Sequence, residues 1–530
     1  MIASPVVRRR PVTPVTGRAL VLALLGAPAL ILPPVLILSL TLILALLLMP
    51  VPAQAGPGPT GWLSPTGSPA SASQTSTDAI DAIGSATISL MEELDVPGAA
   101  VALVSGGEVV WTSAYGLAAR EPVREMEPDT LFRAESISKS VTAWGVLTLI
   151  ESGTVELDAP VRGYLPAEAL PELPDDVTVR HLLTHTSGLP LGTIGHTYPP
   201  DESRPSLLDD LRDEVRSERP AGTSFAYSNV GYNLLELMIE HVTGEDFAVF
   251  MDRTVLEPLG MTASTFAWPA DRADTLATGH RSSGAAVPPY VYPARASGGL
   301  HTTAADVARF VAAGGTPQKH SNPVLSEASI DLVHTPYVGG LGIYGAVADG
   351  YGFGHFTEVL DDGRVAVWHG GQGTGWMTHF HLVPETGDGI VILTNSQRSW
   401  PLISGVVATW ASKTGLGPVQ LGRLAQANGA LRVVLGLWAL VVVATSVVMT
   451  VQLRAGRRRF APLARETRMR RLVLATVAAV SLVALAWAAG QPYLMVSSLF
   501  PSLVPWLGLG VLVTALLALA AAVLPRRADR

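Results

Sequence analysis

Four stretches of this chain are apolar for long enough to be membrane segments. Residues 19–49 contain no charged side chain, and residues 433–453, 472–490 and 505–524 each supply about the 20 residues that a helix needs to cross a bilayer. A helix buried in a soluble core explains any one such segment, but it does not explain three in succession without an ionisable residue inside. We therefore predict transmembrane helices at 433–453, 472–490 and 505–524, and a multi-pass protein of the cell membrane.

Arginine is concentrated at the ends of the apolar segments. The loop at 454–471 contains eight arginines against one acid, Glu466, and residues 1–18 contain four arginines and no acid. Because basic loops stay in the cytoplasm, we expect both pieces on the cytoplasmic side. The remainder of the chain is acidic enough to bring the formal net charge to −8, and we expect it on the extracytoplasmic side.

The first apolar segment is open to two interpretations. A basic start, an apolar run and small residues ending at Ala55 are typical of a cleavable signal peptide. The run is long for that role and is interrupted by prolines, so residues 1–55 are either a signal peptide or an N-terminal anchor. Residues 56–77, rich in Pro, Gly, Ser and Thr, are predicted to form a flexible linker.

Residues 78–415 have the pattern of one α+β domain. An early hairpin with its turn at Ser105-Gly106-Gly107, helices in the middle, strands near the end and a closing helix predict an antiparallel sheet with flanking helices and a helical insertion. The predicted helices are Asp78–Leu94, Ser136–Glu151, Val230–Val242 and Pro401–Ser412, and the predicted strands are Ala99–Val104, Glu108–Tyr115, Val365–Trp368, Thr378–Val383 and Gly389–Leu393.

The first candidate for chemistry is Ser136, which opens a predicted helix, with Lys139 three residues later. Residues three apart share a helix face, so the hydroxyl and the amine can approach each other. A serine becomes a good nucleophile when a neighbouring base takes its proton, and a lysine desolvated by burial can be that base. The same spacing also arises by chance, so the pair alone does not identify an enzyme.

The second candidate is Tyr227-Ser228-Asn229, just before another predicted helix. A tyrosine hydroxyl near the nucleophile can pass a proton to a leaving group, and the Asn229 amide can hold a substrate carbonyl. The alternative is a surface turn in which Asn229 caps the following helix.

The third candidate is Trp368-His369-Gly370-Gly371-Gln372, at the end of a predicted strand. Paired glycines let a substrate lie close to backbone amides that can donate to an oxyanion. The alternative is an ordinary turn between two strands.

The order and spacing of these three motifs resemble the serine penicillin-recognising enzymes, and in particular their class C β-lactamase-like branch. The resemblance runs from about Asp78 to Ser412 and includes the segments His181–Leu189, Asn229–Gly244 and Ala296–Leu300. The membrane plan, a hydrolase-like domain followed by three spans, resembles that of prodrug-activating D-peptidases.

The resemblance implies a serine hydrolase that works through an acyl-enzyme. Ser136 would attack a carbonyl, Lys139 and Tyr227 would move protons, and the amides of Ser136 and Gln372 would form the oxyanion hole. No metal or other cofactor is implied, and the expected partner is a small-molecule or peptide substrate, not a nucleic acid. The implied substrate-binding and oxyanion residues are Asn229, His369, Gly370, Gly371 and Gln372.

One departure from the family pattern bears on the substrate. The third motif of the β-lactamases usually begins with a lysine that helps to hold a carboxylate, and here it begins with His369. We expect an amide hydrolase for D-amino-acid-containing or acylated peptides, with an esterase or a slow penicillin-binding sensor as alternatives. His181 and His185 have a spacing that could hold a metal, but no glutamate follows the first, so we interpret both as structural.

Overall fold

The protein is described by a computed structural model that covers residues 77–167, 169–192, 196–319, 321–461, 468–490 and 495–525. The described residues form two compact units. One takes in 77–428 and 497–501, and the other takes in the described parts of 429–496 and 502–525. The predicted signal peptide or anchor and all but the last residue of the predicted linker lie outside the described residues.

The first unit combines helices and strands. Its helices are α1 (Thr77–Leu94), α2 (Ile137–Glu151), α3 (Val179–Leu183), α4 (Leu207–Glu214), α5 (Asn229–Thr243), α6 (Phe247–Met251), α7 (Ala304–Ala313), α8 (Thr316–Lys319), α9 (Glu327–His334) and α10 (Trp400–Lys413). Its strands are β1 (Gly98–Ser105), β2 (Glu108–Arg120), β3 (Val123–Glu125), β4 (Phe132–Arg133), β5 (Gly279–His280), β6 (Ala286–Val287), β7 (His301–Thr302), β8 (Gly350–Tyr351), β9 (Phe356–Val359), β10 (Val365–Gly373), β11 (Trp376–Val383) and β12 (Asp388–Thr394).

Within the described part of the chain, the main sheet is antiparallel and has eight strands in the order β3-β2-β1-β12-β11-β10-β9-β8. The first and last strands in chain order, β1 and β12, are neighbours near the centre of the sheet, and Ala99 of β1 lies opposite Thr394 of β12. The chain between them supplies most of the helices. The predicted α+β architecture, an antiparallel sheet with a helical insertion, is therefore confirmed.

The sheet is buried on both faces. On β12, Ile390 and Ile392 belong to the cluster that packs against α1 and α10, whereas Val391 and Leu393 face the helical insertion. Alternate side chains of a strand point to opposite faces, so a strand covered on both sides is apolar at every position. Complete burial of each such side chain contributes about 1.5–3 kcal/mol.

Two local signals for the ends of elements are confirmed. Gly106 and Gly107 have φ of 60° and 80°, which the predicted two-residue hairpin turn requires. Gly244 ends α5 in the left-handed region, as predicted from its position after the helix.

The third motif lies at the end of the predicted strand Val365–Trp368, and the predicted end of that strand at Trp368 is wrong. Strand β10 continues through Gly373, and Gly370 and Gly371 pair with His379 and Thr378 of β11. Pairing with β11 on one side keeps the glycines extended, and the turn comes later, at Gly375 with φ of 93°.

The remaining helices are α11 (Arg423–Arg454), α12 (Arg468–Ala489), α13 (Met495–Leu499) and α14 (Val504–Val523). Among the described helices, α11, α12 and α14 are long and apolar enough to cross a membrane, with mean hydropathy of 2.3 to 2.4 over their most apolar windows. The predicted span 433–453 lies within α11, and the predicted spans 472–490 and 505–524 each end one residue beyond α12 and α14. Helices α12 and α14 pack through small residues, among them Ala478, Ala515 and Ala518, which allow close approach of helices in lipid.

Candidate active site

The structure brings Ser136 and Lys139 together. Ser136 is the N-cap of α2, but its hydroxyl makes no capping hydrogen bond and so is free of that role. The Lys139 Nζ lies 3.0 Å from the Ser136 Oγ and 2.7 Å from the carbonyl oxygen of Ser297. This is the contact that the spacing of three predicts.

Burial sets the protonation of Lys139. Its side chain is fully enclosed, and the loss of hydration lowers its pKa from 10.5 to about 7, while the carboxylate of Glu135 acts in the opposite direction. A large fraction of the amine is therefore neutral near pH 7, as a general base for Ser136 requires.

The turn into α2 is held by an ion pair that the sequence analysis did not identify. Glu135 has a φ of +50°, and its carboxylate accepts from the Arg133 Nε at 3.0 Å and from the hydroxyls of Tyr290 and Tyr292, each at 3.0 Å. The Arg133 and Glu135 side chains are only 2% and 3% exposed. The signal available was two charged residues in an otherwise apolar segment immediately before Ser136.

Tyr227 completes the convergence of the predicted proton-handling groups. Its ring centroid lies 5.0 Å from the Lys139 Nζ, and the Ser136 side chain is close enough to influence the pKa of its hydroxyl. Burial raises the pKa of Tyr227 well above 10, with a further contribution from Tyr344, although the Ser136 side chain opposes it. The phenol therefore remains protonated at neutral pH.

His185 packs against the ring of Tyr227. The two ring centroids are 4.2 Å apart, and the His185 Nδ1 accepts from the backbone N–H of Ser228 at 3.1 Å. His181 has a different partner, since its Nδ1 accepts from the N–H of Thr178 in the capping box of α3. Each histidine thus holds a backbone segment, in keeping with the structural interpretation.

Asn229 is the first residue of α5, and it does not cap that helix. Ser228 is the cap, because its hydroxyl accepts from the Gly231 N–H at 3.0 Å and donates to the Pro190 carbonyl at 2.6 Å. The half-buried Asn229 is fixed through its backbone N–H, which donates to Leu191 O at 2.8 Å. Its contact with substrate stays a prediction.

Strand β10 lies directly against the turn that carries Ser136. A Cβ at Gly371 would lie only 2.1 Å from the Ala134 carbonyl oxygen and 2.1 Å from the Thr378 Oγ1, so only glycine fits there. On the other face of the strand, the Gln372 side chain accepts from the indole N–H of Trp400 at 2.8 Å.

His369 is held as a neutral ring. Its Nδ1 lies 2.9 Å from the Gly370 carbonyl oxygen, which can only accept, so Nδ1 carries the proton. The Nε2 therefore accepts from the Tyr351 hydroxyl, 3.3 Å away. Burial, together with the nearby Lys139, lowers the pKa of His369 well below 6.5.

An antiparallel sheet with a helical insertion, a serine and a buried lysine at a helix start, and a glycine strand beside them define the serine hydrolase class of the β-lactamases and penicillin-binding proteins. The chain belongs to the Beta-lactamase family, whose model matches residues 85–403.

Curated relatives agree with this assignment. The chain is 32% identical to the esterase EstB of Burkholderia gladioli, with 58% of this chain and 88% of the esterase aligned. It is 30% identical to penicillin-binding protein 4 of Amycolatopsis lactamdurans, with 58% of this chain and 82% of that protein aligned.

Solved structures show the same fold. The octameric penicillin-binding protein homologue from Pyrococcus abyssi matches with a TM-score of 0.56 at 28% identity, over 64% of this chain and 78% of that one. A class C β-lactamase matches with a TM-score of 0.55 at 24% identity, over 63% of this chain and 98% of that one, which supports the fold alone.

Proposed function

We propose that this protein is a membrane-anchored serine hydrolase, with its hydrolase domain outside the cytoplasm, that cleaves an amide or ester through an acyl-enzyme. The observation that carries the proposal is the 3.0 Å contact between the Ser136 Oγ and the Nζ of Lys139, an amine whose pKa burial lowers to about 7. A nucleophile in contact with a base that is largely neutral at working pH is the arrangement that acyl transfer needs.

The acylation step assigns a task to each group. The Lys139 amine takes the hydroxyl proton of Ser136, whose oxygen bonds to the substrate carbonyl carbon. The amides of Ser136 and Gln372 stabilise the oxyanion. The bond to the leaving group then breaks as the Tyr227 phenol donates a proton to it and regains one from Lys139.

Deacylation uses the same groups in reverse. A water gives one proton to the Tyr227 oxygen while the phenol passes its own proton to Lys139, and the water oxygen attacks the acyl carbon. Lys139 then returns a proton to the Ser136 oxygen as the ester bond breaks. The acid product leaves and the free enzyme is restored.

The state of His369 supports a substrate that lacks a carboxylate beside the scissile bond. Both ring nitrogens are occupied, by Gly370 and by Tyr351, and the ring is neutral. It offers no positive charge at the position where the β-lactamases usually have lysine. An acylated or D-amino-acid-containing peptide, cleaved away from its terminus, suits this site better than a β-lactam.

An esterase is the second candidate, because the same machinery cleaves esters and a 32% identical relative is named an esterase. The two candidates differ in the leaving group. Amide cleavage depends on protonation of a poor leaving amine by Tyr227, whereas ester cleavage depends on it less.

The first test is covalent labelling of membranes with a fluorophosphonate probe. We expect the wild type to be labelled, Ser136→Ala to be unlabelled, and Ser152→Ala, at the far end of α2, to be labelled like the wild type. If the wild type is labelled no more than Ser136→Ala, the proposal of a serine hydrolase fails.

The second test ranks substrates by kcat/KM on p-nitrophenyl esters, N-acylated D-amino-acid peptides and nitrocefin. We expect turnover of the peptides or esters to exceed that of nitrocefin. A clear preference for nitrocefin would contradict the substrate class while leaving the hydrolase assignment intact.

A further inference from the structure

The carbonyl of Ser297 is the second partner of the Lys139 amine, and it lies on a segment that several elements hold in place. The Ala296 carbonyl accepts from the Thr142 hydroxyl at 3.1 Å, and the Leu300 N–H donates to the Ser138 hydroxyl at 3.0 Å. These contacts fasten residues 296–300 to α2, the helix that carries Lys139.

A second helix, α5, also contacts this segment. Glu236, in the middle of α5, accepts from the backbone N–H of Arg295 at 2.5 Å and from that of Ala296 at 2.7 Å, both at Oε2. Its Oε1 accepts from the Arg295 Nε at 2.9 Å. The Glu236 side chain is only 1% exposed, so the carboxylate is committed to this segment.

We infer that Glu236 is a positioning residue for Lys139. By accepting hydrogen bonds from the backbone N–H groups of Arg295 and Ala296, it holds the Ser297 carbonyl in place, and this carbonyl orients the Lys139 amine toward Ser136. This inference rests on the proposed serine hydrolase function, and it gives a role at the site to a residue that contacts neither the nucleophile nor its base.

The chemistry of a neutral amine explains why the carbonyl matters. A neutral Nζ has two N–H bonds and one lone pair, and only the lone pair can take the proton of Ser136. When one N–H is donated to Ser297 O, rotation about the last carbon–nitrogen bond is restricted and the lone pair is held toward Oγ. Displacement of a catalytic group by about 1 Å can cost a factor of about 100 in rate.

The competing explanation is that Glu236 serves only to neutralise Arg295. Arg295 also pairs with Glu240 at 2.6 Å through Nη2 and with Asp246 at 2.9 Å through Nη1. Glu240 therefore provides a matched control, because it neutralises the same guanidinium without touching the backbone of residues 295–297.

The experiment compares Glu236→Gln with Glu240→Gln in the full-length protein, by the rate constant of fluorophosphonate labelling from pH 5 to pH 9 and by the melting temperature. We expect Glu236→Gln to reduce the plateau rate by at least about tenfold and Glu240→Gln to stay within about twofold of the wild type. Displacement of the Ser297 carbonyl removes a hydrogen-bond acceptor from Lys139, which destabilises its buried ammonium form more than its neutral form. We therefore expect the pKa of Lys139 to fall and the acidic limb of the rate–pH profile of Glu236→Gln to move to lower pH.

The outcomes separate the explanations. If the plateau labelling rate of Glu236→Gln falls but the acidic limb of its pH profile does not move, the inference is overturned in favour of a purely structural role. The same holds if Glu236→Gln and Glu240→Gln lose labelling rate equally. A wild-type rate in Glu236→Gln would overturn it as well, while labelling that still depends on Ser136 would leave the proposed function standing. If Glu236→Gln does not fold, Glu236→Asp keeps the charge but retracts the carboxylate, and the same two changes are expected in smaller measure.

Discussion

Lys139 shows how burial alone can make a reactive group. Its amine has no exposed surface, and the cost of enclosing a charge lowers its pKa to about 7 against the opposing effect of Glu135. Below that pH the ammonium predominates and has no lone pair for the Ser136 proton. Above it the amine predominates and acylation can proceed.

The pH dependence of acylation follows from this pKa. We expect the rate constant of fluorophosphonate labelling to rise with pH, with a midpoint at about 7, and to be abolished in Lys139→Ala. The measurement is the labelling rate per folded molecule from pH 5 to pH 9. A rate that does not change across pH 6 to 8, or full reactivity of Lys139→Ala, would remove the lysine from the mechanism.

Tyr227 allows the hydroxyl to be separated from the ring. The ring packs on His185 at 4.2 Å and lies 5.0 Å from the Lys139 Nζ, and Tyr227→Phe keeps both contacts while it removes the group that donates to the leaving group. We expect kcat on a peptide amide to fall by a factor of about 100 or more, and by less on an activated p-nitrophenyl ester. Equal losses on both substrates, measured with a matching melting temperature, would show that the phenol does not serve the leaving group.

Strand β10 is the element whose position depends most on one residue. Because a Cβ at Gly371 would lie 2.1 Å from the Ala134 carbonyl oxygen, Gly371→Ala must push β10 away from the turn that carries Ser136. We expect it to lower the free energy of unfolding of the hydrolase domain by about 1–3 kcal/mol and to reduce labelling as well.

Gly163→Ala is the matched control for this prediction, since a Cβ there meets no atom within 4 Å. Denaturant unfolding and the labelling rate should both remain close to those of the wild type. A Gly371→Ala protein with wild-type stability and reactivity would mean that the strand does not have to approach the nucleophile turn so closely.

Local pattern predicted four helices and five strands of the hydrolase domain but not its shorter helices and strands, and motif order predicted the meeting of Ser136, Lys139 and Tyr227. Local pattern did not show how far each strand extends once it pairs with its neighbour. Strand β10 extends through the glycines because β11 pairs with it, and the predicted hairpin strand at Glu108–Tyr115 extends to Arg120 as β2.

The buried charges were missed because some of their partners are distant in the sequence. Arg133 is a local partner of Glu135, but the tyrosines that complete the Glu135 site and the arginine that pairs with Glu236 come from far along the chain. Tyr290 reaches Glu135 across 155 positions, and Arg295 reaches Glu236 across 59. No local spacing encodes such a contact.

At the scale of the whole molecule, the distribution of arginine is the argument for orientation. The predicted cytoplasmic loop at 454–471 is strongly basic, whereas the family domain at 85–403 carries an acidic excess. In the proposed orientation, with the hydrolase domain outside, the first of the three spans would bring this loop to the inside, in agreement with the positive-inside rule. The proposed reaction would then take place outside the cytoplasm, where the active site would meet an exported precursor.

This topology can be tested cleanly because the chain has no cysteine, so any introduced cysteine is unique. Asp361→Cys places a thiol on the exposed turn between β9 and β10, and Ala455→Cys places one in the exposed start of the basic loop. On intact cells, a membrane-impermeant maleimide should label Asp361→Cys, and it should label Ala455→Cys only after the membrane is opened. The opposite pattern would put the hydrolase domain in the cytoplasm, and labelling of both sites in intact cells would mean that α11 does not separate them by a bilayer.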